Sequence, residues 1–463
     1  MESQRGEFWP RLRRLECNIG WDFVPFISSF LTPTITTLDI TLPSESNLLL
    51  QPTLSLLTRT CRQLQSLAME VDASDPLSVG EMVHLISASR YTLRRIEIRS
   101  FTPLDIFPVI FNLPGLQDLT LHEPRLPNQI PPKILPCLQA INFNGNHGPT
   151  LTRFFGRLSV QRLAEVRISC GGIIQFPKLL DTLRGATTTM NVLDLSPVTV
   201  LDHSTITLLS TFTNLTFLAI GCACSNPKLK GKCSFRPTDE DVLELGNALP
   251  HIRTLSLSPS CRAPCHTTFK SLVHLSRTCG NLGSLSLRVD FASLGDPNQL
   301  NHGNANQGDN GARLQRATSR LGGLTLGNSP LPGIPRCEWV IAMALASIFP
   351  SITFLSSSCT GGMQNRWGEV WRDILVCQRV FRIARVGKCL TTHGLVIPTL
   401  TRSLQAPLQF REPLEESYRP QVALIAIMSV GCDTRGGLRD DPFVGAPFKR
   451  TRNLSCCSLC LAM

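Results

Sequence analysis

Tyrosine is nearly missing: the 463 residues include two, beside 22 Phe and 5 Trp. That scarcity argues against a tyrosine-rich recognition surface. Charge is also sparse, at 17% of residues against about 25% in an average soluble chain. With 42% hydrophobic residues, the composition excludes a mainly disordered chain and a coiled coil. An apolar leader is lacking too. The opening MESQRGEFWPRLRRLE has no h-region, so no secretory signal is expected. The 18 cysteines are then expected to be reduced, mostly buried thiols in the cytosol or nucleus. The NLT at Asn214 and the NLS at Asn453 should accordingly stay unglycosylated.

Long hydrophobic runs are equally few. The uncharged stretch from Trp339 to Asn365 has the length of a membrane span. Pro350 and the Ser, Thr and Gly of its second half instead predict a buried helix followed by a strand, so no transmembrane span is expected. Catalytic signatures are lacking as well: there is no Gly-rich phosphate loop, no nucleophile elbow and no His-Glu-x-x-His helix. No enzyme activity and no cofactor are therefore expected. The net charge of +11 suggests nucleic acid until its distribution is counted. Residues 1–100 carry 10 basic and 11 acidic groups, residues 101–312 carry 17 and 14, and residues 313–463 carry 18 and 9. The excess belongs to the last third, and no nucleic-acid partner is expected.

What the chain does have is repetition. Leu-x-x-Leu-x-Leu, with conservative swaps, recurs as ITTLDI, LQSLAM, LRRIEI, LQDLTL, LQAINF, LAEVRI, MNVLDL, LTFLAI, IRTLSL, LGSLSL and LGGLTL, with weaker terminal copies LRRLEC and ITFLSS. Starts are 22 to 39 residues apart. The alternating apolar positions predict a short half-buried strand. Stretches such as VGEMVHLISAS, FPKLLDTLRG, DEDVLELGNALP and FKSLVHLSRTC predict intervening helices. One strand and one helix per unit is the leucine-rich-repeat plan, in which a unit buries its apolar face only by stacking on its neighbours. The expected fold is α/β, an irregular leucine-rich-repeat solenoid or horseshoe with one short parallel strand plus a helix per repeat. It should span 1–385, with a mobile loop at about 294–313 and a weakly structured basic tail at 386–463. The Asn that usually follows the strand is nearly absent, Asn146 being the convincing case.

Some units place a Cys just ahead of the strand motif, as in TRTCRQLQSL at Cys61 and SRTCGNLGSL at Cys279, with a shorter version at Cys137. This Cys-x-x-Leu-x-x-Leu phrase resembles the cysteine-containing repeats found behind F-boxes. The segment from LTLGNSPLPGIPRCEWV to RWGEVW is similar to the terminal units of fungal F-box/leucine-rich-repeat proteins. The resemblance covers roughly 10–385 and implies capture of a protein target within a Skp1–cullin–F-box ubiquitin ligase. The repeats already begin at Leu12, leaving no room for the F-box itself, so Skp1 is an expected partner only if an F-box lies upstream.

Three sets of residues are candidates for function. Between the inward leucines, Arg14, Glu16, Arg95, Glu97, Arg99, Asp118, His122, Glu165 and Arg167 should face the concave side, with Thr120 and Asn142, and offer mixed charge to a protein target. Later units place Thr254, Ser256, Ser258, Ser284 and Ser286 there, giving a small, polar half. A monomer is expected. The second set is Cys222, Cys224, Cys233, Cys261, Cys265 and His266, in the two loops after adjacent strands. Zinc takes four such ligands, but these spacings are not those of a Cys-x-x-Cys knuckle, and reduced surface thiols are the favoured expectation. The third is the terminal Cys460-Leu461-Ala462-Met463, which fits a C-a-a-X prenylation signal at Cys460 behind Lys449, Arg450 and Arg452.

Overall fold

A computed structural model of the chain describes residues 11–18, 26–41, 47–70, 76–99, 106–122, 133–145, 148–159, 161–225, 233–291, 320–332, 337–357 and 362–392. The chain divides into two units, Met1–Gln378 and Arg379–Met463. In the second unit the described residues are 379–392, the end of the helix Gly362–Thr392. The expected boundary at 385 thus falls inside a continuous helix. The expected loop at 294–313, most of the expected tail and Asn146 lie outside the described residues.

The first unit is organised by strands β1 (Arg14–Asn18), β2 (Thr37–Thr41), β3 (Ser66–Glu70), β4 (Arg95–Ile98), β5 (Asp118–His122), β6 (Lys133–Ile134), β7 (Ala140–Gly145), β8 (Leu158–Ser159) and β9 (Glu165–Ile174). It continues with β10 (Val192–Val198), β11 (Val200–Leu201), β12 (Phe217–Cys222), β13 (Ser234–Phe235), β14 (Thr254–Leu257), β15 (Ser284–Leu287), β16 (Gly323–Gly327) and β17 (Phe354–Ser357). Thirteen of these form one sheet in the order β1-β2-β3-β4-β5-β7-β9-β10-β12-β14-β15-β16-β17. All its pairings are parallel. The eleven clear motif copies and the two weak ones supply one strand each.

Register follows from the motif. The central apolar position runs Leu15, Leu38, Leu67, Ile96, Leu119, Ile141, Val166, Leu193, Leu218, Leu255, Leu285, Leu324 and Leu355 from strand to strand without a slip. From Leu38 to Leu324 these side chains are at most 2% exposed. Each contributes about 1.5–3 kcal/mol through burial, and a one-residue slip would turn the whole set outward. A backbone device repeats at each joint. Two successive amides of one unit donate to a single carbonyl of the unit before it, as Gln65 and Ser66 do to Thr36, and Thr353 and Phe354 to Gly322.

Helices fill the other layer. Pro76–Ala88, Phe176–Thr182, Asp239–Ala248 and Phe269–Thr278 lie where the sequence places them. The uncharged stretch becomes the helix Cys337–Ile348 followed by β17. Among the described residues no helix is long and apolar enough to cross a membrane. Five phenylalanines collect in one place: Phe107, Phe111, Phe143, Phe154 and Phe155 pack with ring centroids 5.2–6.4 Å apart. The RWGEVW segment closes the last units. Arg366 pairs with Glu338, Trp367 Nε1 donates to Ser329 O at 3.4 Å, and Gln378 Nε2 donates to Ile352 O at 2.9 Å.

The sparse strand-end asparagine has a substitute. Ser258 Oγ accepts from Cys222 N, and Ser329 Oγ accepts from Val289 N at 2.8 Å. A hydroxyl from the following unit thus satisfies an amide that the end of a strand would otherwise bury unpaired. The cysteines of the Cys-x-x-Leu-x-x-Leu phrase also link successive units, but as donors to backbone carbonyls. Cys61 Sγ donates to Thr32 O and Cys279 Sγ to Gly246 O, each thiol being fully buried.

Candidate functional site: an open sheet face and a four-thiol cluster

Alternation along each strand leaves two main rows on the face opposite the core. One passes through Arg14, Thr37, Ser66, Arg95, Asp118, Ala140 and Glu165, and the other through Glu16, Asp39, Ala68, Glu97, Thr120, Asn142, Arg167 and Asp194. All nine expected charged or imidazole positions fall in these rows or just beyond them, with Arg99 after β4 and His122 at the end of β5.

Their charges are not free. Arg99 makes a bidentate pair with Asp39, 2.9 Å at both contacts, and its Nε donates to Glu97 at 2.7 Å. Arg95 pairs with Asp118 at 2.9 Å, Arg14 with Glu16, and Arg167 with Glu165. Asp194 stands 4.0 Å from Arg167, whose guanidinium also lies over the Phe217 ring, 5.4 Å from its centroid. Hydrogen bonds donated to Asp39 and then to Glu97 hold the Arg99 proton more tightly than usual. Burial pushes the Asp118 and Asp194 carboxyls up, while Arg95 and Arg167 respectively pull them down. Asp39 and Phe217 were not among the expected site residues. Aligning ITTLDI with LRRIEI would have put Asp39 in register with Glu97.

Towards the C-terminal end the rows pass through the expected Thr254, Ser256, Ser284 and Ser286, and continue to Thr325. Ser258 departs from expectation. It is 3% exposed, with φ of 41°, and its hydroxyl serves the backbone of Cys222 instead of facing outward.

The cysteine loops do converge, though not as six groups. Cys222 ends β12, and a 3-10 turn, Ala223–Ser225, carries Cys224. Cys233 directly precedes β13, which is pinned to β11 as a small parallel pair through Ser234 N to Thr199 O at 2.6 Å. Cys261 follows β14 through the left-handed turn at Ser258, its own amide donating to Ser258 O at 3.0 Å. The four sulfurs all lie within 4.8 Å of one another, with Cys224–Cys261 and Cys233–Cys261 both at 3.7 Å. Cys222 and Cys261 are buried and the other two half-buried, so the expected surface thiols are replaced by an enclosed group.

Cys265 and His266 stand apart from this group. The Cys265 thiol turns to Thr267 Oγ1 at 3.3 Å and Arg288 O at 3.4 Å, and His266 is exposed. Within the cluster, hydrogen bonding from Cys261 and then Ser258 draws the Cys222 thiol down to about 5 against the opposing cost of burial. Cys261, the donor to Cys222, is held up, and burial lifts Cys233 to about 11. Beside the cluster, the space between Phe235, Leu257, Cys261 and His266 holds only about 20 Å³, room for about one water. Cys460 lies outside the described residues.

Strand motif, register and interposed helices together define an α/β leucine-rich-repeat solenoid. No protein-family description matches the chain, and no curated protein matches it. Among solved structures, a leucine-rich-repeat protein of Leptospira interrogans is similar at 12% identity and a TM-score of 0.33, over 78% of this chain and 92% of that one. A chain of the LRIM1/APL1C complex is similar at 9% identity and a TM-score of 0.26, over 82% of this chain and 81% of that one. At such TM-scores neither likeness adds to the fold assignment, which stands on the register of the thirteen strands.

Proposed function

We propose that the chain is a non-enzymatic protein-binding module that receives one protein partner on the open face of its sheet. The observation that carries this is the outward face itself. In-register strands present charges of both signs, already held in fixed geometry by their own ion pairs, and then a run of small hydroxyls. Fixed side chains lose little entropy on docking, and mixed charge sets partner choice and encounter rate more than affinity. The partner suited to this face is a folded protein with alternating charge opposite β4 to β10 and a flat polar surface opposite β14 to β16. The twelve described cysteines are free thiols, which suits a reducing compartment, the cytosol or nucleus. The module acts as a monomer.

The test is affinity capture with the full chain beside a face variant, Arg95→Glu with Arg167→Glu, and a variant altered away from the sheet, Arg184→Glu. A protein retained by the wild type and by Arg184→Glu, lost with the face variant and shown to bind directly once purified, supports the reading. Identical capture by all three, with the face variant still folded, overturns it.

The finer reading is that the module is the target-recognition half of an F-box ubiquitin ligase. It rests on the Cys-x-x-Leu-x-x-Leu phrase, whose thiols the structure uses to join successive units. Purified Skp1 is expected not to bind this chain alone; direct binding would replace that expectation with a docking site within the present sequence.

A further inference from the structure

We propose that Cys222, Cys224, Cys233 and Cys261 form a structural zinc site that ties together two consecutive repeats. A tetrahedron of Zn–S bonds of about 2.3 Å has edges of about 3.8 Å. The two inter-sulfur distances of 3.7 Å match that edge, and all four sulfurs fall within 4.8 Å. Disulfides need sulfurs about 2.05 Å apart, and the four are free thiols here. The chemical character is also that of a closed structural site: four thiolate donors, two of them buried, and no imidazole or carboxylate in the set. Such a site has no open position for water or substrate.

The second shell is built from the backbone architecture already described. Ser258 Oγ holds the amide of Cys222 at 2.7 Å, and the β11–β13 pair fixes the chain at Cys233. Backbone bonds of this kind hold the ligand-bearing segments in place and so orient the ligands. On binding, each sulfur that still carries a proton releases it to water as its Zn–S bond forms, and four thiolates on one Zn²⁺ give the centre a net charge of −2. No electron is transferred and no oxidant is needed.

The site would do mechanical work in the solenoid. Spacing between motif starts widens from 25 residues to 37 after LTFLAI, and the additional chain has to be anchored. Cys222 ends the strand that leads into that long connection, Cys224 and Cys233 sit on it, and Cys261 sits on the next one. A metal joining them closes the insertion onto its neighbour and adds its binding free energy to folding.

The experiment uses the full chain, purified without chelator or a histidine tag, with metal content measured by mass spectrometry and tetrahedral thiolate coordination read from the optical spectrum after cobalt exchange. The expected result is about one equivalent of zinc per chain and thiolate-to-cobalt charge-transfer bands with intense d–d bands. Cys224→Ser and Cys261→Ser should each lose most of the metal, whereas Cys265→Ser, a few residues from Cys261 but outside the cluster, should keep it. Because a ligand variant could also fail to fold, removal of zinc from the wild type by a chelator provides a second reading, with thermal stability expected to fall and to return on adding zinc. Less than about a tenth of an equivalent of zinc in the wild type, copper in its place, a disulfide among the four, or equal loss from Cys265→Ser each overturns the proposal.

Discussion

The guanidinium of Arg99 reaches across a whole strand to Asp39, with both nitrogens 2.9 Å from the two carboxylate oxygens. In register between Asp39 and Glu97 stands Ala68, which is 9% exposed although it belongs to the outward row. Its lack of a longer side chain leaves the path open. Arg99→Ala should remove this pair and the Glu97 contact together, leaving two carboxylates of the same outward row without their shared cation. We expect a loss of about 1 kcal/mol, an exposed network being worth more than a single surface pair. A double-mutant cycle with Asp39→Asn should show positive coupling that shrinks in high salt. Additive effects at low salt would mean that the pair is incidental.

Asp239 joins two repeats by capping the helix after its own. It lies in the first turn of Asp239–Ala248, yet its carboxylate accepts from Thr268 N at 2.7 Å and Thr268 Oγ1 at 2.6 Å, and from Ser271 Oγ. Its neighbour Asp241 completes a capping box with Thr238. Asp239→Ala should therefore cost about 2 kcal/mol, more than a single cap. Hydrogen exchange should quicken in Phe269–Thr278 as well as in its own helix. Faster exchange confined to Asp239–Ala248 would contradict the inter-repeat role.

Strand positions were legible in the sequence because a two-residue period has no tolerance for slippage. Even the imperfect LRRLEC and ITFLSS continue the hydrogen-bonded ladder as β1 and β17. The outward charges were legible for the same reason. Their pairing was not, since Asp39 and Arg99 are 60 residues apart and meet only once three strands are in register. The thiol cluster was half legible. Adjacent loops brought the right elements together, but the exclusion of Cys265 and His266 depends on side-chain direction. It is Ser258, with its left-handed φ, that turns the chain to deliver Cys261. Sequence alone gives Ser258 the appearance of one more hydroxyl on an outward row.

Gly327 ends β16 with φ of 53°, and a Cβ added there would lie 1.8 Å from the carbonyl oxygen of Pro259. That carbonyl accepts from Asn328 N at 2.9 Å, so the contact joins two units and cannot simply open. Gly327→Ala should be destabilising by about 2–4 kcal/mol, through both the φ and the clash. Gly185→Ala, where a Cβ would meet nothing within 4 Å, should be close to neutral. Chemical unfolding of the two variants makes the comparison, and equal midpoints would refute the close approach at Gly327.

Asp373 carries a pH dependence whose sign can be worked out. Burial is the main reason its carboxyl rises to about 6, with Arg372 opposing and Glu369 and Glu338 reinforcing. The ordinary value is 3.8, so between these limits the folded chain keeps a proton that the unfolded chain has lost. Stability linked to Asp373 is then complete below about pH 4, falls as pH rises, and is fully lost above about pH 6. Asp373→Asn removes the charge and keeps the shape. It should stabilise the protein at pH 8 by about 1 kcal/mol, the side chain's remaining access to water reducing the effect. At pH 4 most of that gain should vanish. Unfolding free energies of wild type and variant at both pH values decide the matter, and a gain independent of pH would place the effect in packing instead of in the carboxyl charge.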